Sequence, residues 1–95
     1  MNMAGKQWFW GIDGYEGDQV IFQCAVEQEK LTDAGVIATL RCLVSRHLEP
    51  VDIVVASIGN NTLLEVRQHE PNAKYVKYSC GEKFQYTAAL WQDQS

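Results

Sequence analysis

Residues 32–48, TDAGVIATLRCLVSRHL, decide the fold, because this stretch of the 95-residue chain has clear helical periodicity. Thr32 is a favourable N-cap, and Asp33 follows in the first turn, where the helix dipole favours an acidic group. Six side chains then fall within an arc of about 120° on a helical wheel: Val36, Ile37, Leu40, Leu43, Val44 and His47. Glu49-Pro50 is expected to end the helix, because proline disfavours helical geometry in the preceding residue. We therefore expect a single helix over 32–48 with the five apolar residues of this arc buried and His47 buried or half-buried.

Six short runs around the helix have the composition of strands, and turn signals such as Asp13-Gly14, Glu16-Gly17 and Gly81-Glu82 separate several of them. The run at 51–58 is apolar on both faces, which is typical of a central strand that is covered on both sides. The six runs are 6–12, 19–28, 51–58, 62–68, 75–80 and 83–91. The pattern predicts one α+β domain over 1–95, with a single helix packed on a curved, largely antiparallel sheet in the order ββαββββ.

One helix cannot cover both faces of such a sheet, so we expect a partner surface to cover the second face. Alternation along the strands places several apolar side chains where this chain cannot bury them. The predicted interface residues are Phe9, Ile21, Val54, Val55 and Trp91. An isologous homodimer is expected, formed through the uncovered face or through an edge strand next to it. Trp8 and Trp10 fit either the core or the interface.

The net charge of −4 comes entirely from the first third of the chain, since residues 34–95 hold six acids and six bases. An acidic surface near the first hairpin suits a basic protein partner and disfavours binding to a phosphate backbone. Lys77 and Lys83 alternate with aromatic residues in the last hairpin, a pattern that could bind single-stranded nucleic acid. Lysines that protect a strand edge explain the same pattern. A nucleic-acid partner is therefore not expected.

Cys24, Cys42 and Cys80 are far apart and odd in number, which argues against a disulfide framework or a structural zinc site. Asp13, Glu16 and nearby acids do not match the spacing of a calcium loop. We expect no metal and no cofactor. The N-terminal apolar stretch is too short for a secretory signal, and nothing approaches the length of a membrane span. These features predict a cytoplasmic protein that does not enter a membrane.

No nucleophile elbow, P-loop or dinucleotide-binding glycine pattern is present, which favours a non-enzymatic protein without excluding an enzyme. The predicted function is a small protein-interaction module of the inhibitor, immunity or adaptor type. The alternative is a small-ligand-binding protein or minor enzyme with a pocket between helix and sheet, to which His47 and Tyr86 contribute polar groups.

Overall fold

The structure is a computed structural model that describes residues 7–58, 64–69 and 76–92. Within these ranges the chain forms five strands and two α-helices. In chain order the elements are β1 (Trp8–Glu16), β2 (Gln19–Glu27), α1 (Asp33–Ser45), α2 (Pro50–Ser57), β3 (Val66–Gln68), β4 (Val76–Cys80) and β5 (Phe84–Gln92), with a short 3₁₀ turn at Gln28–Lys30 before α1. The predicted α+β class is confirmed.

The five described strands form one antiparallel sheet in the order β2-β1-β5-β4-β3. β1 pairs with β2 on one side and with β5 on the other, so the first and last hairpins share the centre of the sheet. β2 forms one edge and the three-residue β3 forms the other. Gly81 opens the β4–β5 connection with φ of 97°, a conformation that glycine adopts without a steric penalty.

The hydrophobic core lies between α1 and one face of the sheet, which we call the inner face. Strand alternation brings side chains of β1, β4 and β5 to this face, where they meet the apolar stripe of α1. The buried cluster consists of Trp10, Ile12, Val36, Leu40, Val44, Tyr78, Cys80, Tyr86 and Ala88. The opposite side of the sheet, which we call the outer face, has no helix packed on it within the described residues.

α1 forms where the sequence predicts it and is shorter than predicted at its C-terminus. The Thr32 side chain accepts a hydrogen bond from the Gly35 backbone N–H at 3.0 Å, so it caps the helix as expected. The last helical residue is Ser45, and residues 46–48 form a turn. Val36, Leu40 and Val44 are buried as predicted, while Ile37 and Leu43 are partly buried against the core.

The second helix corrects the prediction of a single helix. Residues 51–58 were expected to form a central strand, but Pro50–Ser57 is the helix α2. Pro50 stands in the first turn of α2, where its missing N–H costs no hydrogen bond, so the residue that was expected to end one helix begins the next. The predicted order ββαββββ is therefore wrong at its third strand, because these residues form a helix.

Several element boundaries also differ from the sequence prediction. β1 continues through Asp13-Gly14 to Glu16, so the turn predicted at Asp13-Gly14 is wrong and the chain turns at Gly17-Asp18. Of the run predicted at 62–68, the described strand is Val66–Gln68. The sequence Gly-Asn-Asn at 59–61 is also a turn signal, and it lies outside the described residues.

Candidate functional site

An aromatic pair marks the outer face of the sheet. Phe9 and Trp91 are cross-strand partners on β1 and β5, and their rings stack with centroids 4.8 Å apart and planes 18° apart. Trp91 remains 43% exposed. The pair is therefore a broad apolar surface that this chain covers only in part, the kind of anchor found at the centre of protein interfaces.

A shallow open groove of about 430 Å³ runs beside Trp91, and we call it the Trp91 groove. The pairs Gly11–Ala25 and Gly11–Ala89 bring three small residues together on neighbouring strands. A Cβ atom at Gly11 would lie 3.1 Å from Trp91 Nε1, so the glycine lets the indole lie close to the sheet. The groove is lined by Gly11, Asp13, Gln23, Cys24, Ala25, Ala89 and Trp91.

Asp13 is the charged residue of this groove. It lies on β1 between Gln23 and Thr87 and is half-buried. Among the described residues it forms no ion pair, whereas Asp33 pairs with Lys77 at 3.0 Å and Glu27 pairs with Lys30 at 3.0 Å. The groove thus combines an indole face and small apolar residues with a carboxylate that pairs with no cation of the described residues.

The edge strand β2 continues the apolar surface. A register shift between Gly14 and Tyr15 pairs Val20 with Tyr15 and leaves Ile21 without a direct partner in the β1 ladder. Val20 is 48% exposed and Ile21 is 39% exposed. Simple alternation from Phe22 would place Val20 on the inner face, and the bulge explains why it is not there.

A second depression lies at the C-terminal end of α1, and we call it the His47 cleft. His47 Nε2 and the Tyr86 hydroxyl are hydrogen-bonded at 2.9 Å, and the imidazole stacks on Phe84 with centroids 4.0 Å apart. Lys83 Nζ lies 5.6 Å from the centroid of the Phe84 ring. The cleft has a volume of about 340 Å³ and is lined by Val44, His47, Leu48, Gly81, Glu82, Lys83 and Phe84.

A polar cluster joins the start of α1 to β4. The Tyr78 hydroxyl donates to Asp33 Oδ2 at 2.7 Å, and Lys77 Nζ lies 3.0 Å from the same oxygen. These contacts, with the Tyr78 hydrogen bond first, hold the pKa of Asp33 below its usual value. The same hydrogen bond, aided by burial, raises the pKa of Tyr78. Lys77 is thus engaged within the chain, which weakens the nucleic-acid interpretation of the last hairpin.

The three cysteines are free thiols in different environments. Cys24 and Cys42 are exposed, while Cys80 is buried. Alternation along the strands places both Cys24 and Cys80 in apolar rows, but only Cys80 belongs to the core. Burial raises the pKa of the Cys80 thiol, which makes it a poor nucleophile. Among the described residues no three His, Cys, Asp or Glu side chains gather to hold a metal ion.

The structure brings together only part of the predicted interface. Phe9 and Trp91 stack on the outer face, and Ile21 lies on the exposed edge strand of the same sheet. Val54 and Val55 lie on α2, where Val54 is 62% exposed and Val55 is half-buried, so neither belongs to the sheet surface. Trp8 and Trp10 were each predicted to belong either to the core or to the interface. Trp10 is fully buried in the core, whereas Trp8 is 44% exposed.

Alternation along the strands does not predict the groove itself. It places Phe9 on the outward face but does not bring Gly11, Asp13, Ala25 and Ala89 together. The one signal in the sequence is that Gly11, Ala25 and Ala89 are small residues within otherwise apolar strands. The pairing that joins Gly11 to Ala89 connects strands at opposite ends of the chain, so local patterns cannot predict it. His47 and Tyr86, which were predicted to contribute to one pocket, are hydrogen-bonded beside the His47 cleft.

Comparisons of the chain with protein-family models, with curated proteins and with solved structures found no match. Within the described ranges, no helix is both long and apolar enough to cross a membrane.

Proposed function

We propose that this chain is a non-enzymatic cytosolic protein-interaction module of the inhibitor, immunity or adaptor type, which works as a homodimer and binds a basic segment of a protein partner on its outer face. The observation that carries this proposal is the Trp91 groove, where a half-exposed indole and the carboxylate of Asp13 flank a floor of small residues. That carboxylate forms no ion pair within the part of the chain that the structure describes.

This combination suits an arginine or lysine side chain. A guanidinium can lie on the face of Trp91, where the ring quadrupole attracts a cation, while its N–H groups donate to Asp13. The small side chains of Gly11, Ala25 and Ala89 leave room for the partner's aliphatic stem. The net charge of −4 would also steer a basic partner toward this molecule.

The proposal is tested by titrating the isotope-labelled protein with a capped tetra-arginine peptide and following its NMR spectrum. The expected result is a saturable shift of the Trp91 indole N–H and of the Gly11, Ala25 and Ala89 amides. The indole of Trp10 serves as an internal reference, because its Nε1 donates to the Leu31 carbonyl at 2.9 Å and its ring is buried.

Two variants and one control make the test specific to this groove. Asp13→Asn and Trp91→Leu should each weaken peptide binding by roughly tenfold, since one removes the carboxylate and the other the π-face. Glu82→Gln removes an exposed acid outside the groove and should leave the affinity unchanged. Equal losses in Asp13→Asn and Glu82→Gln would reduce the binding to general charge attraction and overturn the proposal.

A second candidate function is small-molecule binding in the His47 cleft, favoured by its volume of about 340 Å³. Ligand sites of this kind are mostly apolar with a few polar groups, and here Val44, Leu48 and Phe84 stand beside His47 and Lys83. An NMR screen with small carboxylic acids tests this candidate. Saturable shifts at Gly81 and Phe84 that vanish in Lys83→Gln would support it, and no saturable shift there would exclude it for this ligand class.

A further inference from the structure

The exposed edge of the sheet lacks the features that usually keep strands of different molecules apart. β2 is nine residues long, QVIFQCAVE, and has no strand on its outer side within the described residues. It contains neither lysine nor proline, and its single charged residue, Glu27, stands at its end. Long edges without such protection pair readily with another strand. Within the described ranges, the bulge at Ile21 is the one protective feature of this edge.

The order of polar and apolar residues in β2 is symmetric about Gln23. We infer that two copies of this chain pair β2 with β2 in antiparallel fashion, with Gln23 on the two-fold axis. Each pair of the regular stretch beside the bulge then matches in polarity, with Ile21 opposite Ala25 and Phe22 opposite Cys24. No two like charges face each other. This inference rests on the homodimer of the proposed function and specifies how that homodimer forms.

Neighbouring registers lack this match. A two-fold axis at Phe22 would place Ile21 opposite Gln23, and an axis at Cys24 would place Ile21 opposite Glu27. Both oppose an apolar side chain to a polar one, which forfeits the cross-strand pairing energy of a sheet. Because the bulge at Ile21 interrupts the regular strand, the ladder between the two copies of β2 is limited to Ile21–Ala25. The pairs on either side of Gln23 therefore fix its register.

The resulting dimer has a continuous sheet of ten described strands. A two-fold axis perpendicular to the sheet keeps both outer faces on the same side, so the two Trp91 grooves form one surface for a partner. A single strand–strand contact is smaller than the interface of a permanent dimer, so the expected dissociation constant is on the order of micromolar.

Cysteine cross-linking tests the register directly. In a Cys24→Ala, Cys42→Ala background the remaining thiol, Cys80, is buried. Gln23→Cys would place two thiols directly opposite each other, with Cβ atoms about 5 Å apart, close enough to form a disulfide with little adjustment. Gln19→Cys is the matched control, because two copies of residue 19 would lie about 27 Å apart along the strands. Mild oxidation should convert most of the Gln23→Cys protein, and almost none of the Gln19→Cys protein, to a covalent dimer.

Light scattering of the unmodified protein separates failure of this inference from failure of the homodimer. If the unmodified protein dimerises and Gln23→Cys cross-links no better than Gln19→Cys, the β2 register is overturned while the homodimer stands. If the unmodified protein is monomeric at hundreds of micromolar and neither variant cross-links, both are overturned. Selective cross-linking of Gln23→Cys at the concentration where scattering detects the dimer supports both.

Discussion

At the residue scale, Leu40 occupies the centre of the core. Its side chain has no exposed area and belongs to the cluster that joins α1 to β1, β4 and β5. Leu40→Ala should lower the free energy of unfolding by ~2–5 kcal/mol, since it removes buried methyl groups and leaves a cavity. Urea denaturation monitored by tryptophan fluorescence measures this change.

Val51→Ala is the matched control for Leu40→Ala. Val51 is 65% exposed on α2, so its truncation should change the free energy of unfolding by less than ~0.5 kcal/mol. Comparable losses in the two variants would mean that α1 does not supply the buried face of this core.

At the element scale, the Asp33–Tyr78 hydrogen bond fastens the first turn of α1 to β4, and it makes stability depend on pH at both extremes. The pKa of Asp33 lies below its usual value of 3.8 in the folded protein, so its contribution is present above pH 3.8 and is lost as pH falls through the lowered pKa. The pKa of Tyr78 lies above 10.0, so its contribution is present below pH 10.0 and is lost as pH rises through the raised pKa. Urea midpoints measured from pH 2 to 11 should therefore form a plateau between these limits.

Two variants test whether this shared hydrogen bond causes both limbs of the pH profile. Asp33→Asn removes the group that titrates in the acid limb and also the main cause of the raised Tyr78 pKa. Tyr78→Phe removes the group that titrates in the alkaline limb and also the main cause of the lowered Asp33 pKa, so each variant should flatten both limbs. An unchanged acid limb in Asp33→Asn would show that other carboxylates control acid unfolding.

Also at the element scale, α1 could be predicted and α2 could not, for reasons visible in their residues. α1 has a capping Thr32 and a stripe of one-sided apolar residues long enough to separate helix from strand. The eight residues of α2 are mostly apolar, and a run that short fits a buried strand and a helix equally well. Pro50 is the residue that indicates α2, because proline favours the first turn of a helix as well as the end of the preceding one.

At the scale of the whole molecule, the sequence predicts an uncovered sheet face but not what lies on it. The outward position of Phe9 follows from alternation along one strand. The Trp91 groove requires the pairing of β1 with both β2 and β5, and alternation along one strand does not fix that pairing. Asp13, treated in the sequence as a turn residue, becomes the charged group of the groove only because β1 extends past it.

The three thiols report on the folding and assembly of the whole molecule without any substitution. Cys80 is buried, so an alkylating reagent should modify it only when the protein unfolds globally, whereas the exposed Cys42 should react at the rate of a free thiol. Cys24 is exposed in one copy but faces Phe22 of a second copy in the inferred β2 pairing. Its alkylation should therefore slow several-fold as protein concentration rises through the dimer dissociation constant. Mass spectrometry of the three peptides follows these rates together, with Cys42 as the internal control. A Cys24 rate that stays constant relative to Cys42 at every concentration would contradict the β2 edge as the contact between copies.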